Sequence, residues 1–101
     1  MIIYNVTINV EDDVRDTWVK WMQETHIPEV MRTGKFVTYS FQKLLSRQED
    51  ETGTTFVVQY TAETMEHYDD YQANHAPALQ AETRRLFDGK FVAFRTLMEK
   101  L

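Results

Sequence analysis

The order in which two hydrophobic periodicities follow one another is what most restricts the fold of this chain. Residues 2–10 (IIYNVTINV) alternate, with Tyr4, Val6, Ile8 and Val10 on one apolar face and Ile3, Asn5, Thr7 and Asn9 on a more polar one. That period of two belongs to a half-buried strand. The period then changes. Val14, Trp18, Trp21 (or Met22) and Thr25 recur at helical spacing behind Glu11, Asp12 and Asp13, acidic residues suited to the positive end of a helix dipole in its first turn. Pro28 is expected to interrupt this helix, because its ring lacks a donor and disfavours α geometry at Ile27. A short helical turn through Val30 and Met31 then ends at Gly34, a suitable left-handed cap.

The same alternation resumes twice. Residues 35–45 (KFVTYSFQKLL) read as a second strand, and the charged, polar residues 46–53 as a locally mobile hairpin loop. In the third strand, 54–62 (TTFVVQYTA), Phe56, Val58 and Tyr60 share one face and Thr55, Val57, Gln59 and Thr61 the other. Thr64 suits a helix N-cap with Glu66 in the first turn, and Met65, Tyr68, Tyr71 and His75 trace one helical face. Pro77 breaks this run, residues 78–87 form a further helix before Gly89, and residues 90–98 (KFVAFRTLM) form a last strand. The order β-α-β-β-α-β predicts an α+β, ferredoxin-like fold: a four-stranded antiparallel sheet with helices on one face. The halves also echo one another. Met22-Gln23-Glu24-Thr25-His26-Ile27-Pro28-Glu29-Val30 aligns with Tyr71-Gln72-Ala73-Asn74-His75-Ala76-Pro77-Ala78-Leu79, sharing Gln, His and Pro.

At 101 residues, with no linker or low-complexity tract, the chain is expected to form one domain, 1–101. A net charge of −5, from 11 basic and 16 acidic residues, opposes a phosphate backbone, so nucleic acid is not an expected partner. The third strand also lacks the basic and glycine positions of an RNA-binding βαββαβ signature. Cysteine is absent, which removes disulfides, thiolate metal sites and a cysteine nucleophile. No close histidine pair supports a metal. With three glycines there is no phosphate-cradling loop, and no cofactor is expected. Met1-Ile2-Ile3-Tyr4-Asn5 has no basic leader, and no apolar run is long enough to cross a bilayer. The expectation is a cytoplasmic protein without a membrane partner.

The sheet face away from the helices should carry Asn5, Thr7, Gln59 and Thr61, joined by Thr38, Ser40 and Gln42. The last strand is apolar on both faces: Phe91, Ala93 and Leu97 against Val92, Phe94 and Met98. A strand apolar on both faces is usually covered on both. Two copies packed sheet to sheet would cover it and enclose a mixed cavity, so a homodimer is expected.

Tyr4-Asn5-Val6-Thr7, Trp18-x-x-Trp21-Met22, His26-Ile27-Pro28, Thr33-Gly34, Gln59-Tyr60, His75-Ala76-Pro77-Ala78-Leu79 and Phe94-Arg95-Thr96 together resemble domain-of-unknown-function family 4286, over nearly the full length. The resemblance implies a dimeric α/β-barrel fold, a group that includes cofactor-independent monooxygenases, dehydratases and non-enzymatic binders. It implies no activity, because shared fold is a poor guide to chemistry.

His26 and His75 are the candidates for proton transfer, since histidine titrates near neutrality. Each precedes a proline by two residues, so each can equally be a helix-end cap. His67 lies on a helix surface. Arg95 offers a planar fork for a carboxylate or phosphate. On the side of Asn5 and Gln59 it would anchor an anionic ligand; otherwise it pairs with Glu99 or an acidic residue of a facing subunit. Asn5, Thr7, Tyr39 and Gln59 can orient a ligand inside the barrel or simply hydrogen-bond on a wet face. Trp18, Trp21, Tyr68 and Tyr71 read as core or dimer contacts. Three functions follow. The first is a homodimeric barrel binding a small, partly apolar organic ligand through Arg95 and the Asn5/Gln59 face. The second is a cofactor-independent monooxygenase- or isomerase-like enzyme using His26 as catalytic acid or base. The third is a protein-interaction module.

Overall fold

Alternation becomes a sheet by burying one side of every strand. A computed structural model of the chain describes residues 1–47 and 49–101. Its strands are β1 (Ile2–Val10), β2 (Thr38–Lys43), β3 (Thr54–Ala62) and β4 (Phe91–Glu99), in the order β2-β3-β1-β4 with every neighbouring pair antiparallel. The central strands pair Tyr4 with Tyr60, Val6 with Val58 and Ile8 with Phe56, and all six side chains are buried. Against them lie α1 (Arg15–Trp21), α2 (Ile27–Arg32), α3 (Met65–Asn74) and α4 (Ala76–Phe87), which contribute Trp18, Ile27, Val30, Tyr71, Ala76 and Phe87 to the same core. This is the ferredoxin-like βαββαβ architecture.

The core is largely aromatic. Tyr4 has Phe36, Tyr60, Tyr68 and Tyr71 as ring neighbours at centroid distances of 5.3–6.2 Å. Trp18, 1% exposed, lies between Phe41 and Phe56; truncating such a residue to alanine typically costs ~3–5 kcal/mol. Phe36 leaves the second strand to reach this cluster, so β2 begins at Thr38 rather than at residue 35.

Pro28 does not stop its helix, whereas the run ahead of Pro77 does end, at Asn74, with His75 (φ −124°) in the break before α4. Chain geometry stays right-handed helical from Arg15 to Arg32 because residues 22–26 form a π turn, in which Ile27 donates its N–H to the Met22 carbonyl. In an ordinary α-helix the Pro28 ring would press on the carbonyl four residues back; the wider turn just ahead of it removes that constraint. Pro77 sits in the first turn of α4, where its missing donor has no intrahelical acceptor to lose. The extra residue in the π turn has a second effect. It rotates everything beyond it by about 100°, so Met22 and Ile27, five apart, are both buried with His26 beside them.

The remaining ends follow local chemistry. Thr64 caps α3, its hydroxyl accepting from the His67 N–H at 3.2 Å. Gly34, at φ +75°, ends α2 with its N–H on the Met31 carbonyl. Glu11, Asp12 and Asp13 precede α1 rather than opening it. Lys90 bridges Glu11 and Asp13 at 3.3 and 2.9 Å, and the Asp12 carboxylate accepts from the buried Thr54 hydroxyl at 2.9 Å. The expected 46–53 hairpin loop joins β2 to β3, but it includes Gln48, which lies outside the described residues. Among the described residues no helix is long and apolar enough to cross a membrane.

Candidate functional site

The antiparallel register separates the residues singled out from the sequence into two groups. Arg95 stands opposite Val6, and Thr96 opposite Asn5. Because Val6 faces the helices, so does Arg95. It therefore does not share a face with Asn5, Thr7 and Gln59, and the sheet separates it from them among the described residues. On the uncovered face, Gln59 Nε2 donates to Asn5 Oδ1 and Asn5 Nδ2 donates to Thr7 Oγ1, both at 3.1 Å. These amides satisfy one another along the sheet. Tyr39, opposite Tyr60 on the edge strand, is 49% exposed and lies outside the cleft described next.

Between the helix layer and the sheet is a cleft of about 50 Å³. Tyr4, Val6 and Ile8 of β1 and Val58 and Tyr60 of β3 floor it, with Phe91, Ala93 and Arg95 of β4. Trp18, Met22 and His26 close one side; Tyr71 and α4, through Leu79, Gln80 and Thr83, close the other. Of the six candidate site residues, the structure brings His26 and Arg95 together here and leaves the other four elsewhere.

The π turn delivers His26 to this place. Its ring stacks on Trp21 at 4.9 Å and 27° between planes, and makes no capping hydrogen bond at the start of α2. Nδ1 is buried and has no hydrogen-bond partner. Burial, and next the positive charge of Arg95, lower the His26 pKa from 6.5 to about 4, so the imidazole is neutral at physiological pH. Arg95 itself has no hydrogen-bond or ion-pair partner among the described residues, neither Glu99 nor any other carboxylate. An unpaired guanidinium beside an apolar cleft is a ready partner for an anion.

Two tyrosines complete the polar lining. Burial first, and then the Tyr71, Tyr4 and Tyr39 hydroxyls, raise the pKa of Tyr60. Burial likewise raises that of Tyr71, reinforced by Tyr4 and offset by Arg95. Both are protonated hydrogen-bond donors at neutral pH. Tyr71 reads from the sequence as a core or dimer contact and Tyr60 as part of the Phe56/Val58 face, and both are buried; nothing in a strand or helix period distinguishes a core tyrosine that also lines a cleft. His75, the repeat partner of His26, has a different surrounding. Its Nε2 lies 3.9 Å from the Asp70 carboxylate, which is held by Lys35 at 2.8 Å and Asn74 at 2.6 Å. His67 is exposed. Among the described residues no group of three His, Cys, Asp or Glu side chains is placed to hold a metal.

Solved structures with this architecture are diverse. An EthD family protein from Bacillus halodurans superposes with a TM-score of 0.72 at 8% identity, over all of both chains. SnoaB from Streptomyces nogalater, a cofactor-independent oxygenase, gives 0.66 at 11% identity, over 98% of this chain and 91% of that one. The de novo designed protein Foldit4 gives 0.65 at 13% identity, over 99% and 98%. Fold likeness that takes in both an oxygenase and a designed protein establishes architecture and nothing about chemistry. No curated protein matches the sequence. The family description that does match spans residues 1–101, and the chain belongs to DUF4286, a domain of unknown function.

Proposed function

We propose that the protein binds a small, partly apolar organic acid in the cleft between its helices and its sheet, with Arg95 holding the charge. The observation that carries this is the unpaired Arg95 guanidinium at an aromatic-walled cleft containing a buried, unpartnered imidazole nitrogen. Arg95 is exposed at the rim of the cleft, where its planar fork of donors is free to take a carboxylate from an entering ligand. The cleft of about 50 Å³ holds a few waters as it stands. A ring-sized guest therefore enters with displacement of the half-exposed Leu79, Gln80 or Thr83 side chains on α4.

A second reading rests on His26. A neutral imidazole can take a proton from an acidic C–H or O–H of the bound ligand, leaving an anion whose charge Arg95 compensates. A pKa near 4 is low for a general base, but an anionic ligand opposes the Arg95 charge that helps to depress it, and so moves it toward neutrality. That SnoaB shares the fold and is a cofactor-independent oxygenase supports the idea that this scaffold can host chemistry with its own side chains alone. Binding is tested with benzoate, followed by amide and side-chain NMR shifts in the wild type and in Arg95→Met. The expected result is shifts confined to the His26, Tyr71 and Gln80 region and at least tenfold weaker binding in the variant. Shifts on the Asn5/Gln59 face, or equal binding, would refute it.

The uncovered sheet face is assigned to a second copy of this chain. Phe94 is 70% exposed, Val92 58% and Met98 37%, all on that face of β4, an apolar strip beside the self-satisfied amides of Asn5 and Gln59. Light scattering should give a dimer mass for the wild type and a monomer for Phe94→Asp; a monomeric wild type would overturn the assignment.

A further inference from the structure

Arg95 and His26 account for a charge and a base, but not for Tyr60. This side chain is 2% exposed, at the centre of the sheet between Tyr4 of β1 and Tyr39 of β2. Its ring is fixed by Phe36 at 5.2 Å and Tyr4 at 6.2 Å. Yet Tyr60 lines the cleft and its buried hydroxyl has no hydrogen-bond partner among the described residues. A tyrosine hydroxyl buried this deeply normally has one. A phenylalanine would supply the same ring without that cost. The only other buried side-chain atom left unpartnered among the described residues is His26 Nδ1, which lines the same cleft. Two residues that line one small cleft, each with an unmatched polar atom, describe a surface complementary to something that carries polar groups of its own. Val6, Ile8, Trp18, Met22 and Val58 around them fix the rest of that guest as apolar.

We propose that Tyr60 selects the ligand of this cleft, and that the ligand is a hydroxylated organic acid: an apolar body carrying one anionic group for Arg95 and, apart from it, a hydroxyl that accepts from Tyr60. The proposal rests on the acid-binding reading above and adds to it a requirement for the second oxygen. A site built to hydrogen-bond a hydroxyl discriminates strongly against the analogue that lacks it, since the buried partner is then left unmatched. A purely apolar acid occupies the cleft through Arg95 alone.

The test uses benzoate and its three monohydroxy isomers as probes against the wild type and Tyr60→Phe, with affinities from calorimetry or NMR titration. In the wild type at least one isomer should bind more tightly than benzoate by about tenfold to a hundredfold, the position of its hydroxyl reporting the geometry. In Tyr60→Phe that advantage should fall to within about threefold while benzoate itself binds as before. The variant keeps the ring and removes only an unmatched atom, so its thermal midpoint should be unchanged or higher. Benzoate binding with no preference for any isomer would overturn the role of Tyr60 and leave the acid-binding reading standing. A preference that survives in Tyr60→Phe would do the same. Failure of all four probes to bind would overturn both.

Discussion

Replacing His26 by phenylalanine should flatten the acid side of the stability profile. The physical reason is that the ring is buried without a partner for the proton it would gain. In the unfolded chain it titrates with the ordinary value of 6.5, whereas in the folded protein burial and Arg95 hold it at about 4. Between these values the unfolded state binds more protons than the folded state, so stability falls as pH falls through that window. Above pH 7 both states are neutral and the effect vanishes; below 4 both are charged and it is complete. The full difference corresponds to about 3 kcal/mol, and about 2 kcal/mol is already lost at pH 5. Phenylalanine retains a ring for the stack on Trp21 but does not titrate. His67, His75 and the carboxylates are common to both proteins, so their contributions cancel. Urea unfolding of wild type and variant at pH 7.5, 6, 5 and 4.5 would measure this. The variant should gain about 2 kcal/mol relative to the wild type between pH 7.5 and 5, or roughly 8–16 °C in thermal midpoint. Parallel profiles would mean that the His26 ring can be protonated in the folded protein at no cost, and that burial and the Arg95 charge do not act on it as described.

The charge on Arg95 should be visible in the same ring: Arg95→Met should raise the His26 pKa above about 4, but not to 6.5, because burial is the larger cause, as an NMR titration of the imidazole protons would show. Two glycines with nearly the same backbone should respond differently to alanine. At Gly34, φ +75° with open space around a built Cβ, the cost should be about 1 kcal/mol of backbone strain. At Gly53, φ +72°, the added carbon would lie 2.6 Å from the Val10 carbonyl oxygen, so Gly53→Ala should lose clearly more in chemical denaturation than Gly34→Ala. Equal losses would mean that the β1–β3 corner relaxes freely.

The sheet was legible because alternation is a direct imprint of one-sided burial, and the buried faces of β1 and β3 are those the alternation names. Thr64 and Gly34 were legible for a similar reason: each solves a purely local problem at a helix end. The break expected at Pro77 is present, but the one expected at Pro28 is not, because the rule behind it is a rule for ordinary α-helix interiors. Whether a proline falls in a first turn, or behind a π turn, depends on how the helix seats on the sheet. The face taken by Arg95 stayed open in the sequence because β4 carries apolar residues on both sides. Its own period was uninformative, and only the register against Val6 decides. The cleft was sought between two sheets because an uncovered face is visible in sequence, whereas a gap beneath a helix is not.

The internal repeat explains why one histidine came to line this cleft and its counterpart did not. Both stand two residues before a proline in the first turn of a helix, although His26 is right-handed helical (φ −68°) at the end of the π turn and His75 (φ −124°) lies in the break between α3 and α4. Carrying the alignment of the two segments back by one position sets Trp21 against Asp70. In the first half the aromatic stacks on His26, and burial beside Arg95 leaves the imidazole neutral. In the second half a carboxylate takes that place, approaches His75 and draws in Lys35 and Asn74 at the surface. The exchange of aromatic for acid accompanies the change from a cleft wall to a partly exposed ion network: burial and Arg95 set the chemistry of His26, whereas Asp70, with Lys35 and Asn74 on it, is the polar neighbour of His75.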